Sequence, residues 1–138
     1  MARMIPASIS TNYPSPGERE IFENLKGDPA THDWTVLHSL DVAHHLKQIS
    51  GEIDFVIIVP SKGVLCLEVK ACTQLRRDGG VWYYGSDPNP DTRGPFKQAS
   101  QGMHSIRKRL IAQKPHLLRV VFWSAVVFPY IEFDASSV

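Results

Sequence analysis

Three charged residues stand where two apolar runs end: Asp54 opens the run 55–59, and Glu68 and Lys70 close the run 64–69. Between the runs lies Pro60-Ser61-Lys62-Gly63. Branched residues on either side of a Pro/Gly turn read as a β-hairpin deep in a sheet. A hairpin brings its outer strand ends together, and charges at a buried end are costly unless they pair or hold a cation. Two carboxylates about 4 Å apart repel by about 4 kcal/mol at an effective dielectric of 20. Lys70 relieves part of that repulsion, and a divalent cation relieves more. The residues therefore fit two readings. One is a structural ion pair with Lys70 at a solvated strand end. The other is a metal site suited to phosphate chemistry.

The metal reading depends on register. Side chains alternate faces along a strand, so Glu68 and Lys70 share one. If Val59 paired with Val64, Asp54 would oppose Val69 and point the other way. A loop one residue longer or shorter, or a bulge, brings Asp54 opposite Lys70 or Glu68. The expected register is one that puts Asp54 and Glu68 on the same face.

Two helices flank this hairpin in the chain. Ser15-Pro16-Gly17-Glu18 has the form of a capping box, and the helix it opens runs to about Lys26 and stops at Gly27. Its apolar stripe is Ile21, Phe22 and Leu25, with Glu18 one turn earlier on the same face. Glu18 reads as a cap residue, as a third carboxylate near the hairpin acids, or as both. A long helix is expected over residues 96–113, with Ala99, Met103, Ile106 and Leu110 as its inward stripe. Gln98 lies in its first turn. Arg107, Lys108, Arg109 and Lys114 lie toward its end, where a cation also suits the helix dipole.

The remaining elements follow from shorter signals. Residues 34–40 alternate and read as a strand, in which His38 reads as an ordinary sheet histidine rather than a metal ligand. His44 and His45 are adjacent and do not converge on a metal. Residues 73–77 and 81–84 flank Asp78-Gly79-Gly80 and read as a second hairpin. Its Arg76, Arg77, Trp82, Tyr83 and Tyr84 suit a nucleic-acid strand, and equally suit solvated arginines beside packed aromatics. Residues 118–128 read as a buried strand. Residues 1–14 read as an irregular lead-in, and residues 15–138 as one domain.

The chain has 138 residues with a net charge of +1, so overall charge does not argue for nucleic acid and any such contact must be local. Its 43% apolar content supports a core. No run approaches a membrane span. The N-terminus lacks the apolar stretch of a signal peptide. Cys66 and Cys72 make no disulfide framework, and Cys66 reads as a buried reduced thiol. A cytoplasmic location is expected, and so is a fragment of a longer protein.

The order helix, strand, strand, strand, inserted hairpin, helix, strand, with Asp54, Glu68-Val69-Lys70, Glu18 and Gln98 placed along it, resembles the PD-(D/E)xK restriction-endonuclease-like superfamily. More specifically it resembles the nuclease-related domain (NERD) family. The stretches that carry the likeness are Gly17-Glu18 with Phe22 and Leu25, Gly51-Glu52-Ile53-Asp54, residues 63–70, and Gly94-Pro95-Phe96-Lys97-Gln98-Ala99. Ile53 stands where the superfamily name has Pro, a variation the NERD pattern allows.

The resemblance implies an α/β fold with a central mixed sheet and a Mg²⁺ site, in which Mn²⁺ would substitute. It implies metal ligation by Asp54, Glu68 and the Val69 carbonyl. Lys70, Gln98 and Glu18 would complete the catalytic set, and Arg76, Arg77, Lys97 and Arg107 would contact DNA. The expected function is metal-dependent hydrolysis of phosphodiester bonds in DNA, including branched or single-stranded DNA, in DNA processing or repair. A helicase-type domain in the full-length protein is the partner the resemblance implies, and the near-neutral charge suits a homodimer that builds the groove. The alternative is a non-catalytic nucleic-acid-binding or docking module attached to a helicase or similar enzyme.

Overall fold

The computed structural model describes residues 1–39 and 53–132. Five strands form a mixed sheet in the order β1 (Arg3–Ile5), β2 (Thr35–His38), β3 (Phe55–Val59), β4 (Gly63–Val69) and β7 (Phe122–Val127). β1 is parallel to β2 and β7 to β4, while β2, β3 and β4 run antiparallel. β5 (Leu75–Asp78) and β6 (Val81–Tyr84) form a separate hairpin between β4 and the second helix. The α/β architecture is the expected restriction-endonuclease-like one.

The helices α1 (Pro16–Gly27) and α2 (Pro95–Gln113) cover opposite faces of the sheet. Phe22 of α1 packs with Met4, Val36, Phe55, Ile57 and Val69. Met103 and Ile106 of α2 pack with Val56 and Cys66. Strand alternation makes this division, because Phe55 and Ile57 point one way and Val56 the other. α1 begins where expected: Ser15 Oγ accepts the Glu18 N–H at 3.3 Å, and Pro16 takes the first helical position.

Two expectations are corrected. Residues 3–5 are not an irregular lead-in but the edge strand β1, with Ala2 and Met4 buried beneath it. Three residues are too few for a periodic pattern to show, and β2 supplies the pairing. The C-terminal apolar run is not one buried strand. Its start lies in a 3-10 turn, Pro115–Arg119, and only Phe122–Val127 joins the sheet, at its edge. An edge strand covered by α2 on one face is half-buried, and Trp123 is 44% exposed. The His44-His45 pair lies outside the described residues.

The β3–β4 register is the one the site requires. Val59 pairs with Gly63 and Phe55 with Leu67, around a loop of Pro60, Ser61 and Lys62. Ser61 takes a positive φ of 65°, and the Lys62 N–H donates to the Val59 carbonyl at 3.0 Å. Continuing the ladder by one residue sets Asp54 opposite Glu68, on the face covered by α2.

Candidate active site

β4 ends with Glu68 and Val69, Lys70 follows it, and α1 and α2 each bring their first turn to that end of the sheet. Gly17 permits the approach of α1: a Cβ there would lie 2.4 Å from Ala71 Cβ, immediately after Lys70. Gly94 does the same for α2. Its φ is +84°, and a Cβ there would lie 2.5 Å from Trp82 Nε1. The turn leading into α2 is thereby pressed against the inserted hairpin, with Gln98 one turn further on.

At the strand ends, Asp54 Oδ2 accepts the Val69 N–H at 2.7 Å. The Gln98 amide donates from Nε2 to Glu68 Oε1 at 3.3 Å and accepts from Lys70 Nζ at 3.1 Å. Lys70 Nζ also lies 3.5 Å from Glu68 Oε1. Glu68, Lys70 and Gln98 thus form a closed triangle beside Asp54. Glu68 Oε2 is buried and has no hydrogen-bond partner among the described residues. An ionised oxygen in that position is costly until something positive reaches it.

The charges answer to this burial. Desolvation pushes the Asp54 carboxyl up to about 6, with Glu18 adding to the rise against the Val69 N–H and Lys70. Glu68 is pushed up to about 8, by burial first and then by Asp54, against the opposing pull of Lys70.

Glu18 takes a different partner from the one the capping motif suggests. His38 Nε2 lies 3.0 Å from Glu18 Oε1, and the His38 side chain is fully buried. An ionised carboxylate only accepts, so Nε2 carries the proton in that bond. Tyr13, Phe22 and Phe55 surround the imidazole, with ring centroids 5.2, 6.2 and 5.1 Å away. Glu18 is close enough to raise both Asp54 and Glu68. Tyr13 belongs to the same corner: its hydroxyl is raised by burial and then by Glu18.

The residues expected at nucleic acid divide. Arg76 lies over the Tyr83 ring at 4.2 Å on one face of the inserted hairpin and Arg77 over Trp82 at 5.4 Å on the other, and both arginines are exposed. Lys97 is exposed in the first turn of α2, next to Gln98. Arg107 is separated from them, with its guanidinium 6.0 Å from the Phe122 ring. Phe122 pairs with Val64. That is four residues along β4 from Glu68, or roughly 13 Å at the strand rise.

Three residues at the site were not anticipated from sequence. The sequence marks His38 as an ordinary sheet histidine and Tyr84 as one aromatic of a nucleic-acid hairpin, and it assigns Tyr13 no role. The His38 signal was its place at the end of a strand whose alternation buries it with Val36. Tyr13 lies before α1 with no periodic pattern around it. The Tyr84 ring centroid is 5.1 Å from Lys70 Nζ, and only folding of the inserted hairpin makes that contact.

Among the described residues, no group of three or more His, Cys, Asp or Glu side chains converges to hold a metal ion. The chain instead offers the two carboxylates of Asp54 and Glu68. Mg²⁺ commonly binds through one or two carboxylates and completes its shell with water and phosphate. The unpartnered Glu68 Oε2 fits such an ion.

A mixed sheet between two helices, with acids and a lysine gathered at the end of its central hairpin, defines an α/β domain of the restriction-endonuclease-like type. The chain belongs to the nuclease-related domain (NERD) family, whose model matches residues 14–129. No curated protein and no solved structure matches the chain. No helix among the described residues is long and apolar enough to cross a membrane.

Proposed function

We propose that this domain is a divalent-metal-dependent nuclease that hydrolyses phosphodiester bonds in DNA by endonucleolytic cleavage, in DNA processing or repair in the cytoplasm. One observation carries the reading. Glu68 shares Oε1 with Lys70 and Gln98, while its buried Oε2 has no partner among the described residues. A structural ion pair would use Lys70 to satisfy the carboxylate. Here the lysine leaves half of it unsatisfied.

Asp54, Glu68 and the Val69 carbonyl would hold Mg²⁺ or Mn²⁺. The ion would neutralise phosphate charge and lower the pKa of a water. Lys70 keeps its ammonium at the edge of this group, where it can donate to a phosphate oxygen as negative charge develops in the transition state. Gln98 holds that ammonium by its oxygen and Glu68 by its nitrogen, which fixes both before substrate arrives. Glu18, anchored by His38, adds negative charge beside the acids and favours a cation there.

Arg76, Arg77 and Lys97 offer contacts to the DNA backbone next to the site. A net charge of +1 leaves a sparse basic surface. A second copy of the chain or a helicase-type domain of the full-length protein would extend it.

The test is cleavage of plasmid, branched and single-stranded DNA with Mg²⁺ or Mn²⁺, against EDTA and Asp54→Ala controls. Metal-dependent cleavage lost in Asp54→Ala supports the reading. Nucleic-acid binding without cleavage under any metal would replace it with the binding-module reading.

A further inference from the structure

We propose that Tyr84 is a positioning residue for Lys70. On this proposal the face of its ring holds the ammonium against Glu68 and Gln98, and the inserted β5–β6 hairpin is a working part of the active site. The proposal rests on the nuclease reading and deepens it.

A lysine ammonium is a mobile charge on a four-carbon stem, and its side-chain freedom must be removed before it acts from a fixed point. Gln98 Oε1 and Glu68 Oε1 hold Lys70 Nζ at 3.1 and 3.5 Å. The Tyr84 ring supplies a further contact, 5.1 Å from centroid to Nζ. That is within the range over which an aromatic face attracts a cation.

The ring is itself held. Its O–H donates to Asp91 Oδ2. Asp91 Oδ1 accepts the Gly94 N–H at 3.0 Å and the Arg93 N–H at 3.1 Å. The backbones of Asp91 and Trp82 exchange two hydrogen bonds, at 2.9 and 2.8 Å. Trp82, two residues from Tyr84, is buried with its ring 5.8 Å from that of Phe96 on α2. Gly94 brings the start of α2, and hence Gln98, against the same Trp82. The two groups that hold Lys70 from outside β4, Tyr84 and Gln98, are therefore braced on one Trp82–Asp91–Gly94 corner. An arm that served only to touch nucleic acid would have no need of this bracing at its inner end.

The experiment compares Tyr84→Phe, Tyr84→Leu and a series of ring-fluorinated phenylalanines at position 84. All are made in wild-type and Lys70→Met backgrounds. Each protein is assayed for Mn²⁺-dependent DNA cleavage and for its melting temperature. Fluorine withdraws charge from the ring face and leaves its shape nearly unchanged, so these variants test the interaction even if Tyr84→Leu does not fold.

Tyr84→Leu is expected to lower kcat about tenfold while KM stays within about twofold, in keeping with one cation–π contact. Tyr84→Phe should recover most of that loss, kcat should fall with each added fluorine, and the series should be flat in Lys70→Met. A flat series in the wild-type background overturns the proposal. So does Tyr84→Phe as slow as Tyr84→Leu, which would assign the effect to the Asp91 bond.

A second readout does not depend on activity. With lysines carrying ¹³C-methyl groups, the Lys70 NMR signal should lie upfield under the ring and move back in Tyr84→Leu. An unshifted signal also overturns the proposal. A wild-type protein that cuts no DNA removes the nuclease reading, and this proposal with it. Cleavage with a flat series removes this proposal alone.

Discussion

The Val69 N–H donates to Asp54 Oδ2 at 2.7 Å, so the acid that opens β3 is fastened to the backbone that follows Glu68 on β4. This bond gives Asp54 a structural task in addition to any ligand role, and the two can be separated. Asp54→Asn keeps an acceptor for the Val69 N–H, whereas Asp54→Ala leaves that donor unsatisfied. Asp54→Ala is expected to lower stability by about 1–3 kcal/mol, and Asp54→Asn by much less. Both should abolish cleavage. Urea unfolding of the two variants in EDTA, beside the cleavage assay, checks the split.

Stability of the metal-free protein should fall as pH rises. Asp54 and Glu68 titrate near 6 and 8 in the fold, above their ordinary 3.8 and 4.5. Between the ordinary and raised values the folded chain holds protons that the unfolded chain has released. The unfolded state then binds fewer protons, and the slope of stability against pH is negative. The Glu68 contribution is fully present below its ordinary value and lost as pH approaches about 8. Melting temperature in EDTA between pH 5 and 9 is the measurement, and Glu68→Gln should flatten the profile. A wild-type profile as flat as that of Glu68→Gln would contradict the assignment.

Metal should act most strongly where that repulsion is greatest. Mg²⁺ or Mn²⁺ is expected to raise the melting temperature by mass action, and more at pH 8 than at pH 6, where binding must displace a proton. Glu68→Gln should lose the effect and all cleavage, while melting slightly higher than wild type in EDTA. Lys70→Met should keep most of the metal effect but lose orders of magnitude in rate, because a protonated amine does not ligate a cation. Melting curves against metal concentration for the three proteins decide the matter.

Glu18 and His38 form a pair in which one member is fully buried. Glu18→Gln retains an oxygen acceptor for His38 Nε2, and its melting temperature should stay near that of wild type. Glu18→Ala removes the acceptor and should cost about 1–3 kcal/mol. Both variants should weaken metal binding by removing one negative charge near Asp54 and Glu68. Calorimetric titration with Mn²⁺, beside thermal unfolding, tests both halves. Tight Mn²⁺ binding by Glu18→Gln would confine Glu18 to a structural role.

The cationic residues should separate by position. Arg76→Ala and Lys97→Ala should weaken binding to DNA of any sequence, each reducing the slope of log affinity against log salt by about 1. Arg107→Ala should change that slope little, because Arg107 packs over Phe122 at the far end of β4. Fluorescence anisotropy with a labelled oligonucleotide in EDTA, over a range of salt, provides the comparison.

What could be read from the sequence was local. Ser15, Pro16 and Glu18 announced the start of α1 because capping chemistry is confined to four residues. The stripe of Ala99, Met103 and Ile106 announced the buried face of α2 for the same kind of reason. Its hydrophobic period lies within one element. The two hairpins, and with them Asp54, Glu68 and Lys70 as a group, followed from short turn signals and β-branched runs. The order of these elements sufficed for the resemblance to the nuclease-related domain family, which the match over residues 14–129 bears out.

Tertiary structure decided everything that depends on one residue of slip or on contact between distant segments. A four-residue Pro/Gly turn permits several pairings. The loop in which Ser61 takes φ 65° and Val59 meets Gly63 is the one that forms, and it sets Asp54 opposite Glu68. β1 is three residues long, and pairing with β2 makes it a strand. The apolar run before Phe128 carries no mark of where it bends, because Leu118 and Val121 are as hydrophobic as their neighbours. His38 became a partner of Glu18 through the packing of α1 on the sheet, and Tyr84 became a partner of Lys70 through the folding of β5 and β6. Their neighbours in the chain carry no trace of either contact. Side-chain geometry between segments far apart in sequence is set by how elements pack, and local propensity does not encode it.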